Sequence, residues 1–561
     1  MIAKLNKDLS RIVEDFTYAV DVEALYLAKS AGKHSLSQFG DHSPPVVRVE
    51  QKLLLRRLKY VETTYHLECG CISGTRQFIL NQIMAWVANP QERNTYWFYG
   101  LPGIGKTSLA HSICENLNTQ NYLAGAFFCQ WDDPDLRDAR NILPTLIYKL
   151  ALILPPFRTI VAEHLRNNPN LTSETMKDTL LLDFIRSLPR HPNRFLVFVI
   201  DALNECGNTL DRSSILKVLT NAAAEAPWLK IIITSRPESD IQHVFDDLTQ
   251  SSYFAHDLAK DQDASTDLRT FARSQFDLVA MVWHLSATWL EESDFDRALS
   301  RANGSFIFIT TLILALQQSN DPEESLKSTL LDSDGAGLES LYELYSTILK
   351  ERILHSNANF QQTIGVLLAT TPYRPLCLET IAELAGVKPD LIEKWMDDLG
   401  PFLSPRDQVH GRIWVRHASI FDFFISDRCD YQINLRDVNT QLGVACLKTM
   451  LSQLRFNICK LGDSRLANAV VEDLPSRIKK NISDALQYSS LYWCNHLCFT
   501  PDTGDQRVWG SLEEFFEGLY PIFWIEVLSV MGMVPMVASS LQRIISWVKV
   551  RGKHRTATGW F

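Results

Sequence analysis

The stretch Tyr96-Trp97-Phe98-Tyr99-Gly100-Leu101-Pro102-Gly103-Ile104-Gly105-Lys106-Thr107-Ser108 constrains the fold more than any other part of the chain. An aromatic run suited to a buried strand leads directly into G-x-x-x-x-G-K-T, and an apolar-periodic segment follows. Strand, glycine loop and helix in this order are the context in which the pattern forms a phosphate-binding P-loop rather than a chance turn. Gly100, Gly103 and Gly105 let the backbone turn sharply and pass close to a polyphosphate. The loop's N–H groups form a nest for anionic oxygens, and the helix beginning near Lys106 adds the positive end of its dipole. Lys106 supplies a point charge for the β- and γ-phosphates, and Thr107 a hydroxyl for Mg²⁺. The nine residues Gly100, Leu101, Pro102, Gly103, Ile104, Gly105, Lys106, Thr107 and Ser108 therefore read as a nucleotide-binding loop.

The second half of such a site follows downstream. Phe195-Leu196-Val197-Phe198-Val199-Ile200-Asp201-Ala202-Leu203-Asn204-Glu205-Cys206 is an apolar run fit for a strand buried on both faces, as in a parallel sheet. It ends in an aspartate at the carboxyl edge, where α/β folds bind ligands. Asp201 is the expected Mg²⁺ residue, directly or through water. Glu205 is the candidate catalytic group that orients or deprotonates an attacking water. The bland alternative is an aspartate that only ends a strand. A further strand, Leu229 to Ser235, leads to Arg236, placed either to feel a γ-phosphate or to sit on the surface. Between these strands, Leu109 to Leu117, Asn141 to Ala151 and Leu180 to Leu188 show helical apolar periodicity.

With 561 residues, several domains are expected. Hydrophobic residues at 46% and charged residues at 21% are ordinary for globular protein. A net charge of −10 without a long basic block argues against nucleic acid as the main partner. The 11 scattered cysteines form no disulfide framework and point to a reducing, cytoplasmic setting.

The set G-L-P-G-I-G-K-T, F-V-I-D-A-L-N-E-C and I-I-I-T-S-R-P-E resembles the NACHT class of STAND nucleotide-binding switches. It is most similar to the fungal NACHT proteins related to vegetative-incompatibility factors. Arg301-Ala302-Asn303-Gly304-Ser305-Phe306-Ile307-Phe308-Ile309 resembles the fungal R-A-x-G-x-F-I-Y-A segment. Leu341-Tyr342-Glu343-Leu344-Tyr345, Arg374-Pro375-Leu376 and Arg416-His417-Ala418-Ser419-Ile420-Phe421-Asp422-Phe423-Phe424 also fit. The resemblance spans roughly residues 61–500. It implies an α/β P-loop NTPase core, a parallel sheet sandwiched by helices, followed by helical, winged-helix and C-terminal helical domains. The corresponding segments are 1–60 (N-terminal helical), 61–95 (linker and helix), 96–250 (NACHT NTPase), 251–330 (small helical), 331–430 (winged helix) and 431–561 (C-terminal helical). It further implies a signalling switch in fungal non-self recognition or cell death. In such switches, ATP or GTP with Mg²⁺ is clamped between NTPase, helical and winged-helix domains. The opened form self-associates or associates with related NACHT proteins. By the same resemblance, His417 matches a histidine that contacts the β-phosphate. Its bare sequence context, between a strand end and an apolar helix, reads equally as a cap or a satisfied core residue.

Two departures stand out. Many relatives carry Asp-Glu where this chain has Asn204-Glu205, and asparagine accepts no proton. Slow or absent hydrolysis is therefore expected, and with it an alternative reading as a non-hydrolysing scaffold that regulates a full-length relative. A 40–45-residue repeat with Gly-His and Trp-Asp marks is not found, and Trp131-Asp132 is a lone dipeptide. A kinase would need a substrate-binding lid and a catalytic base for that substrate near the P-loop, and neither declares itself; a motor would need an arginine finger at a ring interface, which a sequence does not display. Winged helices can bind DNA, but Pro389 to Leu399 sets Asp390, Glu393, Asp397 and Asp398 against Lys394, which repels phosphate. Gly518 to Leu541 is long and apolar enough for a bilayer, yet Pro521, Glu526, Gly532 and Pro535 interrupt it, so a helical hairpin is expected instead. The basic tail from Lys549 reads as disordered. Val47 to Tyr60 reads as a packed strut rather than a partner-binding helix.

Overall fold

The computed structural model describes residues 45–555, apart from 59, 64, 67–68, 73, 169–179, 189–193, 249–251, 262, 287, 332–337, 354–357, 406–410, 463–467, 469–470 and 500–504. Most of the N-terminal helical segment expected over 1–60 lies outside the described residues. The described chain forms two compact units, one reaching to residue 351 and including 400–402, the other formed by 352–399 and 403 onward. The division falls inside the segment read from sequence as 331–430.

The first unit is built on five parallel strands: β1 (Thr95–Tyr99), β2 (Leu123–Phe128), β3 (Leu196–Asp201), β4 (Leu229–Ser235) and β5 (Tyr253–Asp257). Their order across the sheet is β2-β3-β4-β1-β5. β3 and β4 are buried along their whole length, as continuous apolar runs in a parallel sheet must be. Their side chains still alternate between faces. Val197 and Val199 join one core layer with Tyr96, Phe98 and Ile232, while Phe198 and Ile200 join the opposite layer with Trp97, Ile231 and Ile233.

Helices cover both faces. α1 (Pro45–Leu55), α2 (Gln77–Ala88) and α3 (Lys106–Thr119) precede α4 (Ile142–Ile153), α5 (Pro155–Asn167) and α6 (Leu180–Arg186). α7 (Thr209–Glu225) and α8 (Ser239–Asp246) complete the wrap. α2 and α3 supply one layer, and the others the second. Before β1, Leu55 and Leu58 are buried in the second layer, and Tyr60 stacks on Tyr148 with ring centroids 3.6 Å apart.

β5 was not legible in the sequence. It is a half-exposed edge strand, Tyr-Phe-Ala-His-Asp, without an apolar run. Register aligns the carboxyl ends. Tyr99 lies beside Ser235 and Asp257, and Phe128 beside Asp201. β4, between the P-loop strand and the Asp201 strand, therefore delivers its last residues into the centre of the site.

Beyond the sheet, the first unit continues as α9 (Ala264–Trp283), α10 (Glu292–Ala302), α11 (Phe306–Gln317), α12 (Pro322–Leu331) and α13 (Leu338–Arg352). Asn303 and Gly304, at φ 43° and 86°, make the tight turn from α10 into α11. Arg301 reaches the Thr329 carbonyl and so ties α10 to α12.

The second unit opens with α14 (Ala358–Thr370), α15 (Leu378–Ala385) and α16 (Pro389–Asp398). The antiparallel pair β6 (Leu403–Pro405) and β7 (Ile413–Val415) follows, with a bridge between Cys377 and Arg412 at its margin. α17 (Ala418–Ile425), α18 (Leu435–Gln453), α19 (Leu474–Asn481), α20 (Asp484–Cys498), α21 (Gln506–Glu517), α22 (Tyr520–Val530) and α23 (Pro535–Arg555) complete it. The apolar stretch 518–541 is two helices, α22 and the start of α23, and no helix among the described residues is long and apolar enough to cross a membrane. Glu526 has a structural role there, its carboxylate accepting the N–H groups of Asn457 and Ile458, each at 3.0 Å. The tail differs from expectation, because α23 continues through Arg555.

Candidate functional site

The loop from Gly100 to Gly105 leaves β1 at the carboxyl edge and feeds α3 at Lys106. Gly103 and Gly105 hold φ 76° and 88°, conformations that side-chain-bearing residues rarely adopt. Space excludes a side chain at Gly103 as well. A Cβ there would lie 2.1 Å from Ile307 Cγ2. The carbonyls of the loop have defined partners. Gly103 O accepts the Phe306 N–H (2.8 Å), Gly105 O the Leu109 N–H (3.0 Å), and Ile104 O the Arg76 guanidinium (3.1 Å). Lys106 Nζ donates to Gly100 O and Leu101 O, both at 2.8 Å. Desolvation first, then the nearby Arg236 cation, pushes the Lys106 ammonium down to about 8, against the opposing pull of Asp201 and Glu205.

Asp201 ends β3 and is buried. Its Oδ1 accepts the Thr234 hydroxyl at 2.5 Å, and the Thr107 hydroxyl also bonds to its carboxylate. Thr234 Oγ1 in turn accepts the Ala202 N–H (2.9 Å). Burial raises the carboxyl above its usual range despite these hydrogen bonds. Ala202, at φ 52°, turns the chain sharply into a short 3₁₀ segment, Leu203–Glu205. That turn sets Glu205 in the same pocket, with one carboxylate oxygen accepting the Trp131 N–H at 3.4 Å. Desolvation and the charge of Asp201 push Glu205 up to about 7, while Arg236 pulls the other way. A carboxylate that titrates near neutrality suits a general base.

The structure therefore brings Lys106, Thr107, Asp201, Glu205 and Arg236 to one carboxyl edge. Asn204 has a part that sequence reasoning did not assign. Its side-chain oxygen accepts the Arg236 N–H (2.9 Å) and its carbonyl accepts Arg212 (3.0 Å). Arg212 is itself held by Glu238 and Asp240, each at 2.9 Å. Position 204 is thus a strut that holds β4's exit loop against β3's. His417 belongs to the second unit. It N-caps α17, with Nδ1 accepting the Ser419 N–H (3.1 Å) and pairing with the Ser419 hydroxyl (2.7 Å). That geometry matches the capping alternative.

Two features were missed from sequence. Arg76 stands at φ 55° before α2, nearly fully buried, with Asp261 at 2.9 Å, and its N–H goes to Asp267 Oδ2 at 3.0 Å. The only local signal was an arginine just ahead of an apolar-periodic helix. Beside Gly105 and Ser108 lies a cavity of about 230 Å³. Cys71, Ile72, Arg76 and the edge-to-face pair Phe271 and Phe306 (centroids 5.2 Å apart) line it.

Residues 74–236, from the turn before α2 to Arg236, match the family model described as Nephrocystin 3, N-terminal. No curated protein matches. Among solved structures, a STAND protein with a tetratricopeptide repeat sensor from Pyrococcus horikoshii is similar at 14% identity and TM-score 0.34. That match covers 88% of this chain, which spans 66% of the length of that one. A Walker-type ATPase of Pyrococcus abyssi matches at 14% identity and TM-score 0.29, over 65% of this chain and 99% of that one. The Aeropyrum pernix ORC1 protein, solved in complex with DNA, matches at 11% identity and TM-score 0.31, over 67% and 96% respectively. On its own sheet order, loop and edge residues, the chain carries a P-loop NTPase-like α/β core followed by a helical region.

Proposed function

We propose that this chain is a nucleotide-dependent switch of the STAND type, similar to the fungal NACHT proteins, that binds ATP or GTP with Mg²⁺. The observation that carries the reading is the convergence of Lys106, Thr107, Asp201, Glu205 and Arg236 at one carboxyl edge. The Asp201 carboxylate and the Thr107 hydroxyl are hard oxygen donors already in contact, and a buried carboxylate with raised proton affinity suits a divalent cation. Mg²⁺ held there would neutralise phosphate charge. The cavity between Cys71 and Phe306 takes the base, because it opens next to the end of the P-loop where a nucleotide's α-phosphate would lie. Three helices and a small antiparallel sheet at 358–415 support the winged-helix assignment. The acidic face of α16 argues against a DNA partner.

The second reading is a scaffold that binds nucleotide without turning it over. Its sequence motive is Asn204, whose side-chain oxygen accepts the Arg236 N–H beside Glu205. The deciding experiment is equilibrium binding and turnover of Mg-ATP and Mg-GTP by the purified chain beside Lys106→Ala. Saturable binding lost in the variant supports the switch or the scaffold, and measurable turnover excludes the scaffold. A wild-type chain that binds neither nucleotide refutes both.

A further inference from the structure

The P-loop is held from outside as well as formed from within. A trans peptide points its C=O and the following N–H in opposite directions. A partner that fixes one carbonyl outward therefore fixes the next N–H inward. Ile104 O is fixed by the Arg76 guanidinium and Gly103 O by the Phe306 N–H. The N–H groups set by these two bonds are those of Gly105 and Ile104, in the middle of the phosphate nest. Phe306 lies outside the α/β core, and Arg76, at the start of a core helix, takes its acidic partners from outside it. Phe306 is the first residue of α11. Arg76 precedes α2 and is clamped by Asp261 and Asp267, at the entrance to α9 and in its first turn. Arg76 also keeps a left-handed backbone at a buried position, a conformation that persists where surrounding structure over-determines it.

We propose that Arg76 and the Phe306 N–H are positioning groups for the phosphate loop, through which the 258–317 helical segment sets its affinity for polyphosphate. This rests on the nucleotide reading and adds regulation to it. Any movement of α9 and α11 away from the loop frees the Gly103 and Ile104 carbonyls, and two anion donors lose their aim. By linkage the effect is reciprocal, so phosphate in the nest favours the arrangement in which both outer bonds are made.

The test uses two probes, ATP and inorganic triphosphate, with the full chain. Proline is tolerated at the first position of a helix but has no N–H. Phe306→Pro and Phe306→Ala both lose the ring and differ in that single donor. We expect Phe306→Pro to bind both probes about tenfold more weakly than Phe306→Ala, the factor that one lost hydrogen bond of ordinary strength allows. Arg76→Gln should weaken both probes by a common factor of about ten or more, and Arg76→Lys, which keeps a donor for Ile104 O, should recover part of it. If Arg76 merely shapes the base cavity, ATP binding falls and triphosphate binding does not, and the proposal is overturned. Equal affinities in the Phe306 pair overturn it too, and that pair decides the matter if Arg76→Gln fails to fold. A wild-type chain that binds neither probe removes the nucleotide reading itself. A wild type that binds both, with variants unchanged, removes only the outer positioning.

Discussion

Lys106 offers the sharpest single prediction, because its environment changes what a pH titration of binding should look like. A lysine near 10.5 stays charged throughout the ordinary working range. Here desolvation, with Arg236 adding to it, holds the ammonium at about 8. A bound polyphosphate restores the charged form, so nucleotide binding takes up a proton once the free protein has begun to lose it. Affinity should then be flat up to about pH 7.5 and fall above it. One unit above the pKa only about one lysine in eleven is charged, so at pH 9 the loss is roughly tenfold, or about 1.4 kcal/mol. The nucleotide's own phosphate ionisation, near pH 6, is complete by then. Stability should respond with the opposite sign. Between about 8 and 10.5 the unfolded chain holds the Lys106 proton that the folded chain has released, so this residue's contribution grows as pH rises. The assay is calorimetric binding of Mg-ATP from pH 6.5 to 9.5, with Lys106→Arg as the always-charged control. Melting of ligand-free wild type against Lys106→Met gives the stability arm. Affinity that stays flat to pH 9.5, or an equal fall in Lys106→Arg, would refute the reasoning.

Other perturbations follow from the same geometry. Glu205→Gln should abolish any turnover, by at least a hundredfold, while leaving nucleotide affinity within a few-fold, and wild-type turnover should rise through about pH 7; a variant that still turns over removes Glu205 as the base. Asn204→Asp keeps the acceptor for the Arg236 N–H and adds a charge near Glu205, so turnover should not rise and its pH midpoint should move upward. A clear gain in rate would show that position 204 acts on the chemistry itself. Gly103→Ala forces a methyl group into Ile307 from a left-handed backbone and should cost about 2–4 kcal/mol in denaturant unfolding, and a change below about 0.5 kcal/mol would mean the loop and α11 are not in contact. Glu526→Ala strips two backbone N–H groups of a charged acceptor and should cost about 2–3 kcal/mol, whereas an unchanged midpoint would make those bonds idle.

What could be read from the sequence was local. The P-loop pattern, the apolar run ending in Asp201 and the run ending in Thr234-Ser235-Arg236 each declare themselves within a dozen residues, because a buried parallel strand needs continuous apolar side chains. Their meeting at one edge follows from a sheet order that places β4 between β3 and β1. Half-exposed β5 has no such run and stayed hidden. Arg76 was illegible for a different reason. Its acidic partner Asp267 lies 191 positions downstream, and nothing beside it in the chain indicates that its side chain turns inward. Asn204 was legible only by its type, as weakened chemistry, because the Arg236 N–H that its side chain accepts lies 32 positions downstream.

The outer bonds on the loop also bear on the order in which the protein is made. All five strands and the P-loop have been synthesised by residue 257, but the Phe306 donor comes some 49 residues later, and Arg76 must wait for Asp261 and Asp267. At translation speeds of about 5–20 residues per second, the interval from the P-loop to α11 is on the order of 10–40 s. Throughout that time a nascent chain carries a glycine loop whose Gly103 carbonyl has yet to meet its partner. A core that grips polyphosphate only after α11 has emerged would stay nucleotide-poor on the ribosome, and would take its first nucleotide with the helical segment already in place.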